Sequence, residues 1–451
     1  MKRPRQLTAL LCGGLVWSAG CHTPDGGESY LAGRVQSNFG YDATPPEPTG
    51  VNEVISPDGL SDEHPLTVDH AVLLALWNNP TFHDALAELQ LTRADLITAG
   101  LLPNPEVVYY FPMTDKPLKY LVDFPIEAIW LRPCRLKIAE AENARARERV
   151  TQLAFDLIRD TRQAFYDVAL AQNRVAVAEK ALTVRGRIAE LAESRLKAGD
   201  ASVQEVTTAR IDALQATQDA TRIRFEIPLA EERLKNLMGV PKFAGLMPVA
   251  NPPTLQHPAV SIDLLVEEAI RFRPDGLAAV HAREAAEERL RFSKLSWVRF
   301  LGIADATSGR NTGHELGPAF RATLPIFNQN QGGIARAEAE VVQLTRRELV
   351  VRNQIVTDVR LAATRYEQAR SEYAGLVAKV KIEVEAAIQR SQKAYEDGNA
   401  GYLIVLETTR QLIDTNNREA QLKADLQRAW ADLERSVGRR LFFETPPTPH
   451  P

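Results

Sequence analysis

The stretch LPIFNQNQGGIARAEAE, Leu324–Glu340, joins a short apolar run to a Gly-containing turn and then to the start of a helix. Earlier in the chain, the stretch FPIEAIWLRPCRLKIAEAE, Phe124–Glu142, follows the same plan. In each stretch an aromatic or aliphatic residue, a Pro and an Ile precede a run that contains Ala and Glu, which favour helices. The sequence therefore predicts two strand-to-helix junctions of one kind, at Pro125 and Pro325.

These two junctions belong to a tandem duplication. Pairs of landmarks recur in the same order with nearly constant spacing: Pro80 and Pro274, Pro125 and Pro325, Gly199 and Gly398, and Gly239 and Gly438. Self-similarity at a fixed long period indicates a repeated structural unit. We therefore predict a first repeat at residues 61–256, a second repeat at residues 257–440 and a Pro-rich tail at residues 441–451.

Each repeat is predicted to contain a helix, a β-hairpin, a very long helix, a Gly-centred turn and a returning helix. In the first repeat these elements fall near residues 67–101, 106–113 with 119–126, 138–197 and 202–238. In the second repeat the strands are predicted at 297–307 and 319–326, and the long helix at 334–396. The fold class is therefore mainly α with a small β part, built from a duplicated helix–hairpin–long helix–helix repeat.

The first long helix has the apolar spacing of a coiled coil. One apolar row recurs every seven residues, at Val150, Leu157, Ala164, Ala171 and Ala178. Such a seam predicts packing against another helix along most of its length, which is about 90 Å for about 60 residues. The two hairpins provide four strands per chain, too few to close a barrel. Because every strand edge in lipid must be paired, several chains must contribute strands.

The N-terminus has the pattern of a secretory leader. Lys2, Arg3 and Arg5 precede an apolar core, and small residues lead up to Cys21. This arrangement predicts a signal peptide at residues 1–20 and a linker at residues 21–60. Ser18-Ala19-Gly20-Cys21 also resembles a bacterial lipobox, which predicts lipidation of Cys21; conventional cleavage after Gly20 is the alternative.

Composition excludes several function classes. The net charge of −4 comes with no basic patch, so we predict no nucleic-acid partner. The sequence contains no Gly-rich phosphate loop, no nucleophile elbow, no paired-Cys motif and no HExxH motif. We therefore predict that the protein is not an enzyme and has no cofactor, catalytic residue or metal site.

The duplicated organisation resembles the outer membrane efflux protein family of TolC-like channels. The resemblance is carried by NNPTFHDALAELQLTRADLITAGLLPNP (78–105), by the junction at Pro325 and by the turn AYEDGNAGYLIVLETTR (394–410). It implies a homotrimeric α-helical barrel in the periplasm, topped by a 12-stranded transmembrane β-barrel in the outer membrane. It also implies an exit duct that works with a periplasmic adaptor (membrane fusion) protein and an inner-membrane pump of the resistance–nodulation–division type.

In the family, the helical turns near Gly199 and Gly398 form the periplasmic entrance, where acidic residues ring the opening. Aspartates often follow the second glycine; here those places hold Ile404 and Glu407. The resemblance thus predicts candidate entrance residues at Glu205, Glu407, Arg195 and Arg410. The alternative interpretation is that the carboxylates are ordinary solvated residues on helix surfaces.

Two alternative functions fit parts of the pattern. The chain could be a periplasmic coiled-coil adaptor or structural protein, but such a protein has one helical hairpin with flanking β-rich domains. It could also be an exit duct for type I secretion. The junction WLRPCRLKIAEAE (130–142) resembles the heavy-metal efflux branch, yet the four Met and eight scattered His indicate no metal relay. The sequence leaves the substrate open.

Overall fold

The computed structural model describes residues 27–46, 54–57, 65–111, 118–241, 249–250, 261–309, 313–399 and 401–441. The predicted signal peptide, Cys21, parts of the linker and residues 442–451 of the tail lie outside these ranges. Within them the chain is mainly helical with a small sheet, as predicted. None of the described helices combines the length and the apolar composition needed to cross a membrane.

The helices of the first half are α1 (Glu28–Phe39), α2 (Val68–Asn78), α3 (Pro80–Gly100), α4 (Glu127–Ala198), α5 (Val203–Arg224) and α6 (Glu226–Met238). Those of the second half are α7 (Ile262–Phe272), α8 (Pro274–Leu295), α9 (Gln331–Gly375), α10 (Ile382–Glu396) and α11 (Tyr402–Val437). A π-helical segment, Leu376–Lys381, joins α9 to α10. The strands are β1 (Glu106–Tyr110), β2 (Leu118–Pro125), β3 (Phe300–Gly309) and β4 (Gly313–Ala322).

Two predicted helices are each divided in two. The predicted helix at 67–101 breaks at Asn79, which is extended (φ −69°, ψ 117°) because the following Pro80 disfavours helical geometry at its predecessor. The predicted helix at 202–238 breaks at Phe225, between α5 and α6. Here Pro228 has no N–H to give to the carbonyl four residues before it, which interrupts the helical ladder. The first long helix, α4, starts at Glu127 and not near residue 138, with Pro133 inside it.

The predicted bounds of the last strand were only partly correct. We expected residues 319–326, whereas β4 runs from Gly313 to Ala322 and pairs with β3 from Phe300↔Ala322 to Gly309↔Gly313. The many cross-strand bonds of this hairpin outweigh the low strand propensity of the Gly and Pro residues in β4. The junction residues Leu324–Ile326 consequently lie outside the strand. The other three strands overlap their predicted ranges.

One compact unit takes in the described residues of 1–29, 88–146 and 281–344. Its four strands form an antiparallel sheet in the order β1-β2-β3-β4. Both predicted hairpins are present, and the β2–β3 pairing joins the two repeats. The free edges of the sheet are β1 and β4.

The sheet has one charged face and one apolar face. Strand alternation and the register place six charged residues on the same side, which we call the charged face: Glu106, Lys119, Asp123, Asp305, Glu315 and Arg321. Lys119 and Asp305 form an ion pair of 2.9 Å across β2 and β3. The opposite face, the apolar face, carries no Asp, Glu, Lys or Arg in the described strands and includes Val107, Tyr109, Val122, Phe124, Leu316 and Phe320.

A second compact unit takes in the described residues of 30–87, 147–280 and 345–451, and it contains two equivalent helical cores. In the first repeat, α2, α4 and α6 bury Leu74, Phe165 and Leu234 together. In the second repeat, α7, α9 and α11 bury a matching set that includes Ile355 and Leu433. All five residues of the predicted heptad row, Val150, Leu157, Ala164, Ala171 and Ala178, are buried.

In each repeat, a side chain at the first helix break donates a hydrogen bond to a carbonyl near the end of the returning helix. Asn79 donates its side-chain amide to the Leu237 carbonyl at 2.8 Å, and Arg273, at the equivalent break, donates to the Ser436 carbonyl at 3.2 Å. The returning helix then ends in a left-handed glycine, Gly239 (φ 71°) or Gly438 (φ 88°). A Cβ on Gly239 would lie 2.1 Å from the Asn78 carbonyl oxygen, so only glycine fits there. The structure thus reproduces the duplication predicted from these landmarks.

Candidate functional site: the paired helical turns

The turns at the ends of α4 and α10 have the same geometry. Gly199 (φ 85°) and Gly398 (φ 74°) are both left-handed, as the residue that ends a helix often is. The following amides bond back to the last helical turn, from Asp200 to the Arg195 carbonyl at 2.9 Å and from Asn399 to the Ala394 carbonyl at 2.8 Å. This is the Schellman arrangement, which satisfies the terminal carbonyls and reverses the chain tightly. The predicted equivalence of the two turns is therefore present in the backbone.

A buried cluster joins the two turns, and we call it the tip cluster. From the first turn it contains Ala189, Ala192, Val206 and Ala209, and from the second turn Tyr395, Tyr402 and Val405. Small Ala side chains on α4 and α5 leave room for the two tyrosine rings. The tip cluster therefore packs the second repeat against the first through aromatic residues that only the second repeat supplies.

Both tyrosines donate hydrogen bonds to carboxylates of α5. The Tyr395 hydroxyl lies 2.8 Å from Glu205 Oε1, and the Tyr402 hydroxyl lies 2.6 Å from Asp212 Oδ2. Arg195 places its guanidinium 4.7 Å from the centre of the Tyr395 ring, a cation–π distance. The same guanidinium lies 3.4 Å from the Asp200 carbonyl of the first turn. Two of the predicted entrance residues, Glu205 and Arg195, thus contact the same tyrosine, one at its hydroxyl and one at its ring.

The environment keeps both phenols protonated. Burial, followed by the hydrogen bond to Glu205, raises the pKa of Tyr395 to about 12. Burial and the hydrogen bond to Asp212 likewise raise the pKa of Tyr402. Both hydroxyls therefore remain donors throughout the neutral pH range.

The other two predicted entrance residues stand apart from this cluster. Glu407 is exposed on α11 and accepts a hydrogen bond of 3.1 Å from Gln411, one turn further along. Arg410 is also exposed, and its side chain makes no hydrogen bond or ion pair with any residue that the structure describes. Glu205 and Glu407 are therefore not equivalent: one links the two turns and the other faces solvent in the single chain.

The sequence interpretation missed Tyr395, Tyr402 and Asp212. A signal was present, because the two tyrosines bracket the glycine in AYEDGNAGY (394–402), inside a stretch that is otherwise polar or small. Aromatic residues on both sides of a tight turn indicate a buried contact at that turn. The acidic partners lie 190 residues away in the chain, so no local pattern identifies them.

The two strand-to-helix junctions do not share one conformation. Pro125 is the last residue of β2, and the Ile126 amide donates to the Phe300 carbonyl of β3 at 2.9 Å. Pro325 lies beyond the end of β4, and the Ile326 amide donates to the Leu324 carbonyl of its own segment at 3.0 Å. The predicted equivalence therefore holds in sequence but not in local structure, because β3 covers the first junction and no described strand covers the second.

Among the residues that the structure describes, no group of three or more His, Cys, Asp or Glu side chains is arranged to hold a metal ion. The arrangement instead consists of duplicated long helices, turns closed by hydrogen bonds and a sheet with one charged face. These features are typical of the α-helical barrel fold of channel proteins.

Comparison with known proteins supports this class. The sequence profile described as "Outer membrane efflux protein" matches residues 129–240. The cobalt-zinc-cadmium resistance protein CzcC of Cupriavidus metallidurans is 26% identical over 386 residues, which is 83% of this chain and 90% of that protein. The cation efflux system protein CusC of Escherichia coli is 24% identical over 61% of this chain and 63% of its own length.

Solved structures share the fold. A membrane protein of Pseudomonas aeruginosa superposes with a TM-score of 0.69 at 19% identity, covering 82% of this chain and 93% of that one. The outer membrane protein VceC of Vibrio cholerae gives a TM-score of 0.68 at 16% identity, covering 82% and 96%. The chain is thus similar to the outer membrane efflux protein family over residues 129–240 and to the curated efflux protein CzcC over most of its length. It is an outer membrane channel of the kind through which tripartite pumps export their substrates.

Proposed function

We propose that three copies of this chain form one exit duct that docks, through a periplasmic adaptor protein, to an inner-membrane pump of the resistance–nodulation–division type. The main support is the sheet, whose strands β1 and β4 have no neighbour on their outer edges within the described chain. Unpaired backbone groups cannot remain in lipid, so each edge requires a strand from another copy. Three copies of a four-stranded sheet close at twelve strands, the number that the family resemblance implies.

The two faces of the sheet support an aqueous interior. In a closed sheet the apolar face would contact lipid and the charged face would line the lumen. Asp123, which is unfavourable in lipid, then lies inside together with Glu106 and Asp305. The alternation of the two faces therefore fits a duct for hydrated polar substrates.

The proposed substrates are divalent metal cations. Two relatives carry names that refer to cobalt, zinc and cadmium resistance and to cation efflux. In this proposal the ions are cargo and the duct does not hold them at a dedicated site. Selection takes place at the pump.

Deletion of the gene in its own host tests the substrate. We expect growth to stop at several-fold lower concentrations of Co²⁺, Zn²⁺ or Cd²⁺, because the pump would lose its exit, and plasmid-borne wild-type gene should restore growth. An unchanged tolerance to all three cations, with a new sensitivity to organic compounds, would contradict the metal proposal and favour a drug-exporting system.

We further propose that the paired turns close the periplasmic entrance. Three copies would bring six turns to one mouth, and each Glu407 would then face two others across the axis. Like charges in a narrow mouth repel each other and attract cations. In this proposal Arg410, which has no partner in the described chain, pairs with a carboxylate of the neighbouring copy. Adaptor docking would open the mouth by replacing such contacts, a shift between two states.

Cys21 is the proposed lipid anchor of the N-terminus in the outer membrane. Replacing Cys21 with Ala should abolish labelling by a fatty-acid analogue and leave insertion of the channel largely intact, because the sheet and not the lipid would hold it in the membrane. Labelling and outer membrane fractionation measure the two effects. A wild-type protein that takes up no label and starts with a free amine at Cys21 would contradict lipidation.

A further inference from the structure

The apolar face of the sheet continues onto the start of α4. Phe300 and Gly302 of β3 lie on the apolar face, because they alternate with the residues of the charged face. The ring of Trp130, in the first turn of α4, meets the Phe300 ring edge-on at a centroid distance of 5.9 Å. A Cβ on Gly302 would lie 2.8 Å from Cδ1 of Ile126. Ile126 and Trp130 therefore stand on the same side of the molecule as the apolar face.

A stripe of exposed residues runs from this contact along α4. Ile126 is 36% exposed, Ile129 53% and Trp130 37%. Pro133 and Lys137 follow at helical spacing and are exposed too, so these five residues share one side of the helix. The stripe thus begins with apolar side chains and ends with a cation. Tryptophan in such a position is typical of the boundary between hydrocarbon and water.

The start of α4 is strongly basic. Residues 128–139 contain three cations, Arg132, Arg135 and Lys137, and no Asp or Glu. Arg132 and Lys137 are exposed, whereas Arg135 is half-buried. The Nε of Arg132 donates to the Gly100 carbonyl at 2.6 Å, and its two terminal nitrogens have no partner among the residues that the structure describes. The guanidinium of Arg132 is therefore free to donate to a further anion.

The carboxylate beside Lys137 is shared with a second cation. Lys137 Nζ lies 3.6 Å from Glu288 Oε1, and Arg291 Nη1 lies 3.9 Å from the same oxygen. Both distances are too long for good hydrogen bonds, and both cationic side chains are more than half exposed. Cations therefore exceed carboxylates at this surface, which attracts negative charge.

The second repeat shows that the join between strand and helix does not need these cations. No Lys or Arg lies between Pro325 and Arg336 in the second junction. Its polar residues are neutral: Asn328, Gln329, Asn330 and Gln331. Both junctions nevertheless lead from a strand into a long helix. The exposed cations of the first junction therefore point to a partner outside the chain.

We propose that the stripe binds an anionic phospholipid of the bilayer around the sheet. Arg132 and Lys137 bind the phosphate, and an acyl chain lies against Trp130 and Phe300. This inference rests on the proposed insertion of the apolar face into lipid, and it adds a headgroup site at the helical end of the sheet.

The dimensions of a bilayer fit this site. Lys137 lies about 10 Å along the helix axis from Trp130, and Arg132 lies closer. The headgroup layer on each side of a bilayer is roughly 5–8 Å thick. A lysine extends its aliphatic stem along apolar surface and reaches back to this layer with its ammonium group. Both cations therefore reach the phosphates when Trp130 lies at the edge of the hydrocarbon.

The charge of the site favours an anionic headgroup over a zwitterionic one. A zwitterionic headgroup carries its own cation, which Arg132 and Lys137 would repel. Basic side chains close to a membrane surface attract anionic lipids, and their effects add. The planar guanidinium of Arg132 can also bind two phosphate oxygens at once. We therefore expect phosphatidylglycerol to bind in preference to phosphatidylcholine.

Brominated acyl chains test the site because they quench only nearby tryptophans. The full-length protein is placed in phosphatidylcholine vesicles that contain a minor fraction of phosphatidylglycerol, and one of the two lipids is brominated at a time. The part of the quenching that is lost in Trp130→Phe belongs to Trp130. Per molecule of lipid, brominated phosphatidylglycerol should quench Trp130 at least about fivefold more than brominated phosphatidylcholine.

Charge variants separate the site from a general attraction. Arg132→Gln with Lys137→Gln should remove the preference for phosphatidylglycerol. Lys137→Gln alone, which keeps the bond from Arg132 to Gly100, should remove part of it. The matched control, Arg346→Gln with Arg347→Gln, removes the same charge at exposed positions about 22 Å along α9 from its start, and it should keep the full preference.

The outcomes distinguish this site from the proposed function. Equal quenching of Trp130 by the two lipids overturns the headgroup site and leaves the inserted sheet standing. A preference that survives the loss of both cations, or that disappears equally in the control, overturns the site as well. If neither brominated lipid quenches Trp130, the apolar face does not lie in lipid at this end, and both proposals are overturned.

Discussion

Replacing Tyr395 and Tyr402 together with Phe is expected to raise the open probability of the purified channel in planar bilayers by at least about tenfold. The change removes both hydroxyls that donate to Glu205 and Asp212 and keeps both rings. A hydrogen bond to a charged group contributes about 1.5–3 kcal/mol, and about 1.4 kcal/mol shifts an equilibrium tenfold. Loss of two such bonds per chain should therefore favour an open entrance if the paired turns form the gate.

A matched control shows whether a change in open probability comes from the two tip tyrosines or from the loss of any tyrosine hydroxyl. The hydroxyl of Tyr373, in α9, makes no hydrogen bond with any residue that the structure describes, so Tyr373→Phe should leave the open probability unchanged. If the double variant conducts like the wild type while its melting temperature falls, the tyrosines hold the fold of the tip and do not gate the channel.

The pH dependence of the same contact has a defined sign. The pKa of Tyr395 in the folded protein is raised from 10.0 to about 12. A raised pKa means that the contact stabilises the packed turns fully below about pH 10 and that this stabilisation is lost as the pH rises through about 12. The double variant and the wild type should therefore differ at pH 7 and converge only in strong alkali.

Replacing Arg162 with Met is expected to lower the free energy of unfolding by about 3–5 kcal/mol, the usual cost of leaving a buried charge without its partner. Arg162 and Glu434 form a buried ion pair between α4 and α11, and the Glu434 carboxylate also accepts the Leu441 amide at 3.1 Å. A second change, Glu434→Gln, removes the orphaned charge and keeps an acceptor for Leu441. The double variant should recover most of the loss.

Thermal unfolding of the detergent-solubilised protein, followed by far-ultraviolet circular dichroism, measures these effects. Arg370→Met serves as the control because the Arg370–Glu367 pair is exposed and should contribute less than about 1 kcal/mol. A melting temperature for Arg162→Met equal to that of the control would show that the buried pair carries no stability. A double variant no more stable than Arg162→Met would show that the loss comes from packing and not from charge.

The repeating features of the fold could be predicted because they depend on local chemistry. The heptad row from Val150 to Ala178 gives the buried side of α4, and the left-handed glycines mark the turns. The positions of the prolines predicted the helix breaks less well than the heptad row and the glycines predicted their features. Pro80 follows the break at Asn79, which the prediction had passed over, and Pro133 lies inside α4, ahead of the predicted helix start near residue 138. A proline in the first turns of a helix is tolerated, so its presence alone does not fix a boundary.

The contacts at the candidate site could not be predicted because their partners are far apart in the chain. Tyr395 and Glu205 are 190 residues apart, and Arg162 and Glu434 are 272 residues apart. The first part of β4 was missed for a related reason. Its Gly- and Pro-containing sequence does not favour a strand, and pairing with β3 makes it one. Sequence periodicity predicts which face of an element is buried, and it does not identify the residue on the other side.

The central claim is that this chain is a subunit of a hollow, three-fold exit duct. Electron microscopy of single detergent-solubilised particles of the full-length protein tests it most directly. The account predicts particles with three-fold symmetry around an open axis, in which three sheets join into one closed sheet of twelve strands. Single chains, dimers, or particles with no cavity along their axis would contradict it.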